Sequence, residues 1–228
     1  MTARVIPPVA AREGEPLKLR ERAYASFTER LMTREIRPGQ FVSQRELVEI
    51  TGLPLGAIRE LVPRLEAEGL IKTVPQRGMQ VAQVDLNLIR NAFQFRMFLE
   101  KEAASLFARN ADMATIGALR DAHERIIARA LAGGDLTLIA DAEATDRQLH
   151  EAIIDHLDNE IISKAFRVNW IKIKLIRQNE TRLYDALIVP VMQDHMKIIE
   201  ALSRRDSAAA AAAMGDHISN ARNRAIDL

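Results

Sequence analysis

Apolar residues recur every three to four positions along most of this chain, and the interruptions show where one element ends and the next begins. Over 17–34, Leu19, Ala23, Phe27 and Leu31 fall on one helical face, and Arg37-Pro38-Gly39-Gln40 closes the segment as a turn. Ser43 with Glu46 three residues on forms a capping box, which opens a short helix to Ile50 that Thr51-Gly52 breaks. Pro54 suits the first turn of a third helix, whose Ile58, Leu61, Val62 and Leu65 face inward until Gly69 stops it. Two β-prone runs, 70–74 and 79–84, flank Pro75-Gln76-Arg77-Gly78 and predict a hairpin. Beyond Asp85 the spacing predicts six long helices over 86–110, 113–132, 136–157, 159–179, 186–203 and 207–225. The alanine run 208–213 reads as part of a close-packed helix rather than a linker, because alanine is the strongest helix former. Residues 1–16, with Pro7, Pro8, Gly14 and Pro16 and no period, read as a flexible leader.

The order helix, short helix, turn, third helix and hairpin predicts a winged helix-turn-helix over 17–84, followed by an all-α bundle over 85–228. The fold class is therefore mainly α. Aromatic residues at 4% and only 10 glycines agree with little sheet, and 48% hydrophobic against 28% charged residues is ordinary globular composition. No run approaches the roughly 18 apolar residues of a membrane helix, so a soluble, cytoplasmic protein is expected. The absence of cysteine excludes disulfides, thiolate ligands and a thiol nucleophile. The near-zero net charge conceals a mild asymmetry: residues 1–84 hold 13 basic against 10 acidic side chains, and the remainder 19 against 21.

In a winged module the third helix enters the major groove and the hairpin touches the backbone or minor groove. Arg45, Arg59, Arg64 and Arg77 stand on the second helix, the third helix and the hairpin tip, where guanidinium groups can bind phosphates or read guanine edges. Any one of them alone reads equally well as a solvated surface arginine.

The bundle half holds a different chemistry. Asp146 and His150 are four residues apart and share a helix face, while His195 and His217 sit on the last two helices near aliphatic residues. Inward-pointing ligands on facing helices make a metal site without loops, and three imidazoles with one carboxylate suit Zn²⁺ or Ni²⁺. A lone helical histidine is more often a residue with no ligand role, and His123 and His156 are read as solvated. Arg96, four residues before Glu100, reads on spacing as an exposed intrahelical pair with it. Trp170, Lys174 and Arg177 share a face that either walls the cavity or forms an amphipathic surface stripe.

Arg37-Pro38-Gly39, Ser43-Gln44-Arg45-Glu46-Leu47, Gly52-Leu53, Ile58-Arg59-Glu60, Leu65-Glu66-Ala67-Glu68-Gly69-Leu70-Ile71 and Pro75-x-Arg77-Gly78 resemble the DNA-binding half of the GntR transcription regulators. The resemblance implies that Arg45, Arg59 and Gly78 belong to a DNA interface. This chain departs from the family where Leu55 replaces a base-contacting arginine, and Pro63 is expected to bend the third helix. Arg96-x-x-x-Glu100, Asp146-x-x-x-His150, Asn159, Asp194-His195, Asp206 and His217 resemble the effector-binding FCD domain of the FadR branch. That resemblance implies a divalent metal on Asp146, His150, His195 and His217, completed by a small carboxylate, with Arg96 in the cavity. The protein expected is a homodimeric regulator of a double-stranded DNA operator rather than an enzyme. A metal-dependent hydrolytic enzyme and a closed, purely structural metal site are the alternatives.

Overall fold

The computed structural model describes residues 19–177 and 184–226, so the leader expected over 1–16 lies outside the described residues. The chain divides into two compact units, one ending at Ala82 and the other beginning at Gln83.

The first unit contains α1 (Leu19–Met32), β1 (Phe41–Val42), α2 (Gln44–Thr51), α3 (Leu55–Ala67), β2 (Ile71–Val74) and β3 (Gly78–Val81). The capping box forms as expected: Ser43 Oγ accepts from the Glu46 amide at 3.1 Å, and the Ser43 amide donates to Glu46 Oε2 at 2.6 Å. Gly52 ends α2 in the left-handed conformation, φ 68°. The core is built from Phe27 and Leu31 of α1, Leu47 of α2, and Ile58, Leu61 and Leu65 of α3, all buried. The helix α3 runs through Pro63 as one element; the proline sits on its exposed side, where water can take the backbone acceptor that lacks an amide partner. The hairpin is present, and the sheet order is β1-β3-β2. The two-residue strand β1, absent from the expected elements, pairs with β3 through Phe41–Gln80 and Val42–Met79. That close pairing explains Gly78, whose φ is 90° and whose hydrogen could not be replaced by a Cβ without meeting Val42 O at 3.0 Å.

Among the described residues the second unit holds six helices: α4 (Leu86–Asn110), α5 (Met113–Leu131), α6 (Leu138–Asp155), α7 (Glu160–Arg177), α8 (Tyr184–Ser203) and α9 (Ser207–Ile226). Asp85 caps α4 by accepting from the Leu88 amide at 2.7 Å. The alanine run lies inside α9, where Ala210 and Met214 are fully buried and a Cβ at Gly215 would stand 3.3 Å from Lys101 Cδ of α4. Small residues on α9 thus bring it close to α4. One apolar cluster around Phe93, Phe107, Leu149, Phe166 and Ile198 forms the core, and a smaller one joins Ile126, Leu138, Ala142, Ile188, Val191 and Met192. The expected end of α7 at Asn179 falls outside the described residues.

Candidate metal centre and nucleic-acid surface

Asp146 and His150, one turn apart on α6, meet His195 of α8 and His217 of α9 in the interior of the second unit. One ligand atom from each of the four lies within 4.8 Å of all the others, and all four residues are buried. The Nε2 atoms of His195 and His150 stand 3.4 and 3.7 Å from Asp146 Oδ1. Two buried nitrogens, His195 Nε2 and His217 Nδ1, have no hydrogen-bond partner among the described residues. Leaving such groups unpaired is costly, and nitrogen lone pairs gathered around a carboxylate are what a divalent ion needs.

The groups behind these four residues orient them. Glu100 Oε2 accepts from His150 Nδ1 at 2.6 Å, and His150 Nε2 lies on the side of Asp146, 3.7 Å from its Oδ1. Arg96 holds Glu100 with Nε–Oε1 at 2.6 Å and Nη2–Oε2 at 3.1 Å. The pair is buried in the bundle, so the expected exposed alternative for Arg96 and Glu100 is overturned. Arg96 Nη2 also lies 3.3 Å from His150 Nε2, a contact that an ion on that nitrogen would replace. Burial favours the neutral form of Glu100, but Arg96 and His150 outweigh it and hold the carboxyl at about 2. Asp146 follows the same pattern: burial pushes it up, while Arg177, whose Nη1 donates to Oδ2 at 2.8 Å, and the imidazoles keep it well below the usual carboxylate range. Burial drives His195 and His217 well below the ordinary histidine value, so both present the neutral ring that metal ligation requires.

His123, expected to be solvated, is completely buried, with Nδ1 2.7 Å from Leu119 O and Nε2 3.1 Å from His195 Nδ1. Its place on the stripe Ile116, Leu119, His123, Ile126 was a readable signal, since these positions share one face of α5. His156 is exposed, with its ring edge-on to Phe107. Trp170 is buried beside His150, with ring centroids 5.7 Å apart, Lys174 pairs with Glu143, and Arg177 with Asp146. The face they share is therefore a wall of the centre and not a surface stripe. A cavity opens against Asp146 and His217; Phe93, Ile173, Ile188, Val191 and Met192 line its apolar side, and Arg96, Arg177 and Arg224 its basic side.

On the first unit, Arg45 and Arg59 are exposed and make no side-chain hydrogen bond or ion pair among the described residues. Arg64 is already engaged: its guanidinium lies 3.6 Å from the Tyr24 ring centroid, and its Nε donates to Glu68 at 3.0 Å. The guanidinium of Arg77 lies 4.1 Å over Phe41 of β1. Pro54, Leu55 and Gly56 are exposed at the start of α3, so an apolar edge leads that helix.

Residues 91–220 match the FCD domain, and residues 19–81 match the bacterial regulatory proteins of the gntR family. The chain is 26% identical over 208 residues to the Uxu operon transcriptional regulator of Escherichia coli (strain K12), covering 81% of this chain and 77% of the relative. It is 25% identical over 132 residues to the Nta operon transcriptional regulator of Aminobacter aminovorans, covering 58% and 60% respectively. Its fold is similar to that of E. coli McbR/YncC, with a TM-score of 0.76, 16% identity, and coverage of 93% of this chain and 99% of that one. No helix among the described residues is long and apolar enough to cross a membrane.

Proposed function

Because the chain belongs to the gntR family of bacterial regulatory proteins and carries an FCD domain, it is a DNA-binding transcription regulator, not an enzyme, and we propose that a divalent metal and a small carboxylate together set its operator affinity. The observation that carries this reading is the pair of buried nitrogens on His195 and His217 with no hydrogen-bond partner among the described residues, in a set of four residues whose ligand atoms lie within 4.8 Å of one another. Asp146, His150, His195 and His217 would hold the ion, Zn²⁺ or Ni²⁺ by ligand type. Bound there, the ion supplies a Lewis-acidic anchor for an anion.

Charge counting supports an anionic effector. Asp146 and Glu100 are already balanced by Arg177 and Arg96, so a divalent ion would add two uncompensated charges to a buried site. A carboxylate from the cavity offsets part of that charge. The apolar wall of Phe93, Ile173 and Val191 suits a short acid with an aliphatic body. An open cavity beside Asp146 and His217 argues against a closed structural ion. Arg45, Arg59, Arg77 and the wing turn at Gly78 form the DNA surface, with Arg64 at its edge held by Tyr24 and Glu68. The protein acts as a cytoplasmic homodimer, two copies placing their α3 helices on paired half-sites of an operator. For the effector to change operator affinity, it must bind one arrangement of the two units better than another.

The test is elemental analysis of the purified chain followed by thermal unfolding with and without added short-chain acids. One divalent ion per chain is expected, and an acid at 100 times its Kd should stabilise the protein by about 2.7 kcal/mol, or roughly 5–10 °C for a chain of this size. His195→Ala should remove both responses. A metal-free protein whose His195→Ala variant still shifts with the same acid would overturn the metal reading.

A further inference from the structure

We propose that His123, outside the four-residue ligand set, is a positioning residue that locks His195 in the one tautomer able to bind a metal ion through Nε2. The proposal rests on the metal reading above and extends it to a helix, α5, that supplies no ligand.

The hydrogen-bond donors follow from the acceptor at one end. The carbonyl of Leu119 can only accept, so its 2.7 Å contact with His123 Nδ1 places a proton on that nitrogen. A neutral His123 then has a lone pair at Nε2, and the 3.1 Å contact with His195 Nδ1 requires the proton on His195. His195 Nε2 is left with its lone pair, buried without a partner 3.4 Å from Asp146 Oδ1. Run in the opposite sense, the contact would put a proton on His195 Nε2 and close it to any ion. Full burial, with both ring nitrogens spent, disfavours a charged His123 that could donate from both ends.

Glu100 performs the corresponding task for His150 with a negative charge that Arg96 balances. Among the described residues no arginine is bonded to His123 or His195, and a carboxylate in place of His123 would bury an uncompensated charge near Asp146. A neutral imidazole fixes the tautomer without adding charge.

The experiment uses the full chain and two variants, His123→Leu, which removes the acceptor while keeping an apolar filling, and His123→Gln, whose Oε1 restores one. Zn²⁺ affinity is read by competition with a chromophoric chelator, ligand geometry by the visible spectrum of the Co²⁺ form, and the His195 tautomer by long-range ¹H–¹⁵N correlation on the metal-free wild type. We expect a proton on His195 Nδ1 in the wild type, a loss in Zn²⁺ affinity of about 10- to 100-fold in His123→Leu with altered Co²⁺ bands, and recovery of most of it in His123→Gln. A proton on His195 Nε2 in the wild type overturns the proposal without any variant having to fold. Unchanged Zn²⁺ affinity in His123→Leu overturns it too, as does equal loss in both variants with an unaltered Co²⁺ spectrum. If the wild type binds neither Zn²⁺ nor Ni²⁺, the metal reading falls as well.

Discussion

The two units treat charge in opposite ways. In the unit ending at Ala82, Arg45, Arg59, Arg64 and Arg77 all reach solvent, and none is buried. In the unit beginning at Gln83, Arg96, Glu100, Asp146, His123, His150, His195 and His217 are withdrawn into the core. All five histidines of the chain lie in this second unit. Exposed guanidinium groups, individually weak, gain together from a polyanion that releases its counterions. Buried and balanced pairs offer nothing to a polyanion, and on the proposed reading the lone pairs among them take up one small ion. The contrast separates a surface built to meet a long partner from an interior that, on the proposed reading, meets a compact one.

The largest test of this contrast is Glu100→Gln. It strands the Arg96 guanidinium in the core and should cost about 3–5 kcal/mol, as breaking a buried pair does, measured by denaturant unfolding. A loss below about 1 kcal/mol, the value of an exposed pair, would erase the distinction between the units.

Acidification should come next. Burial lowers His123, His195 and His217, so below about pH 6.5 the unfolded chain takes up protons that the folded chain refuses. Their contribution is complete above that pH and is lost as pH falls. In the metal-free full chain, peptides from the second unit should lose hydrogen-exchange protection, after correction for intrinsic rates, before those of the histidine-free first unit. Equal loss in both units would show that these imidazoles do not govern it.

The smallest effects divide the surface arginines. Arg59→Ala should weaken operator binding by about 1–3 kcal/mol without changing stability. Arg64→Ala, stacked on Tyr24 and tied to Glu68, should instead cost the first unit about 0.5–1 kcal/mol of stability, with the smaller effect on DNA. Reversed outcomes would make Arg64 the DNA contact and Arg59 a bystander.

Local signals made most of the fold legible. The capping box of Ser43 and Glu46, the glycine stop at Gly52 and the apolar period that spans 86–110 each act over one or two turns, and helix bounds followed from them. The strand β1 was not legible, because two residues hold no alternation and Phe41–Val42 becomes a strand only through pairing with β3. In the site, Asp146 and His150 were visible as a one-turn pair, but Glu100 and His123 were not assigned to it. An Arg-Glu pair four residues apart has the same spacing whether it faces water or core, and only the packing of α6, with His150, against α4 decides. His123 carried a clue in its apolar stripe, yet its contact with His195 spans 72 residues and exists only in the closed bundle.

Trp170 lies beside His150 and is the chain's sole tryptophan. Indole emission responds to its immediate electrical surroundings, so the indole light from this protein comes from one spot, the wall of the proposed metal centre. The first unit contributes no indole fluorescence. Ion loading can therefore be followed optically in the unlabelled chain, even with the operator present, and a stopped-flow trace of Trp170 would time the arrival of the ion directly.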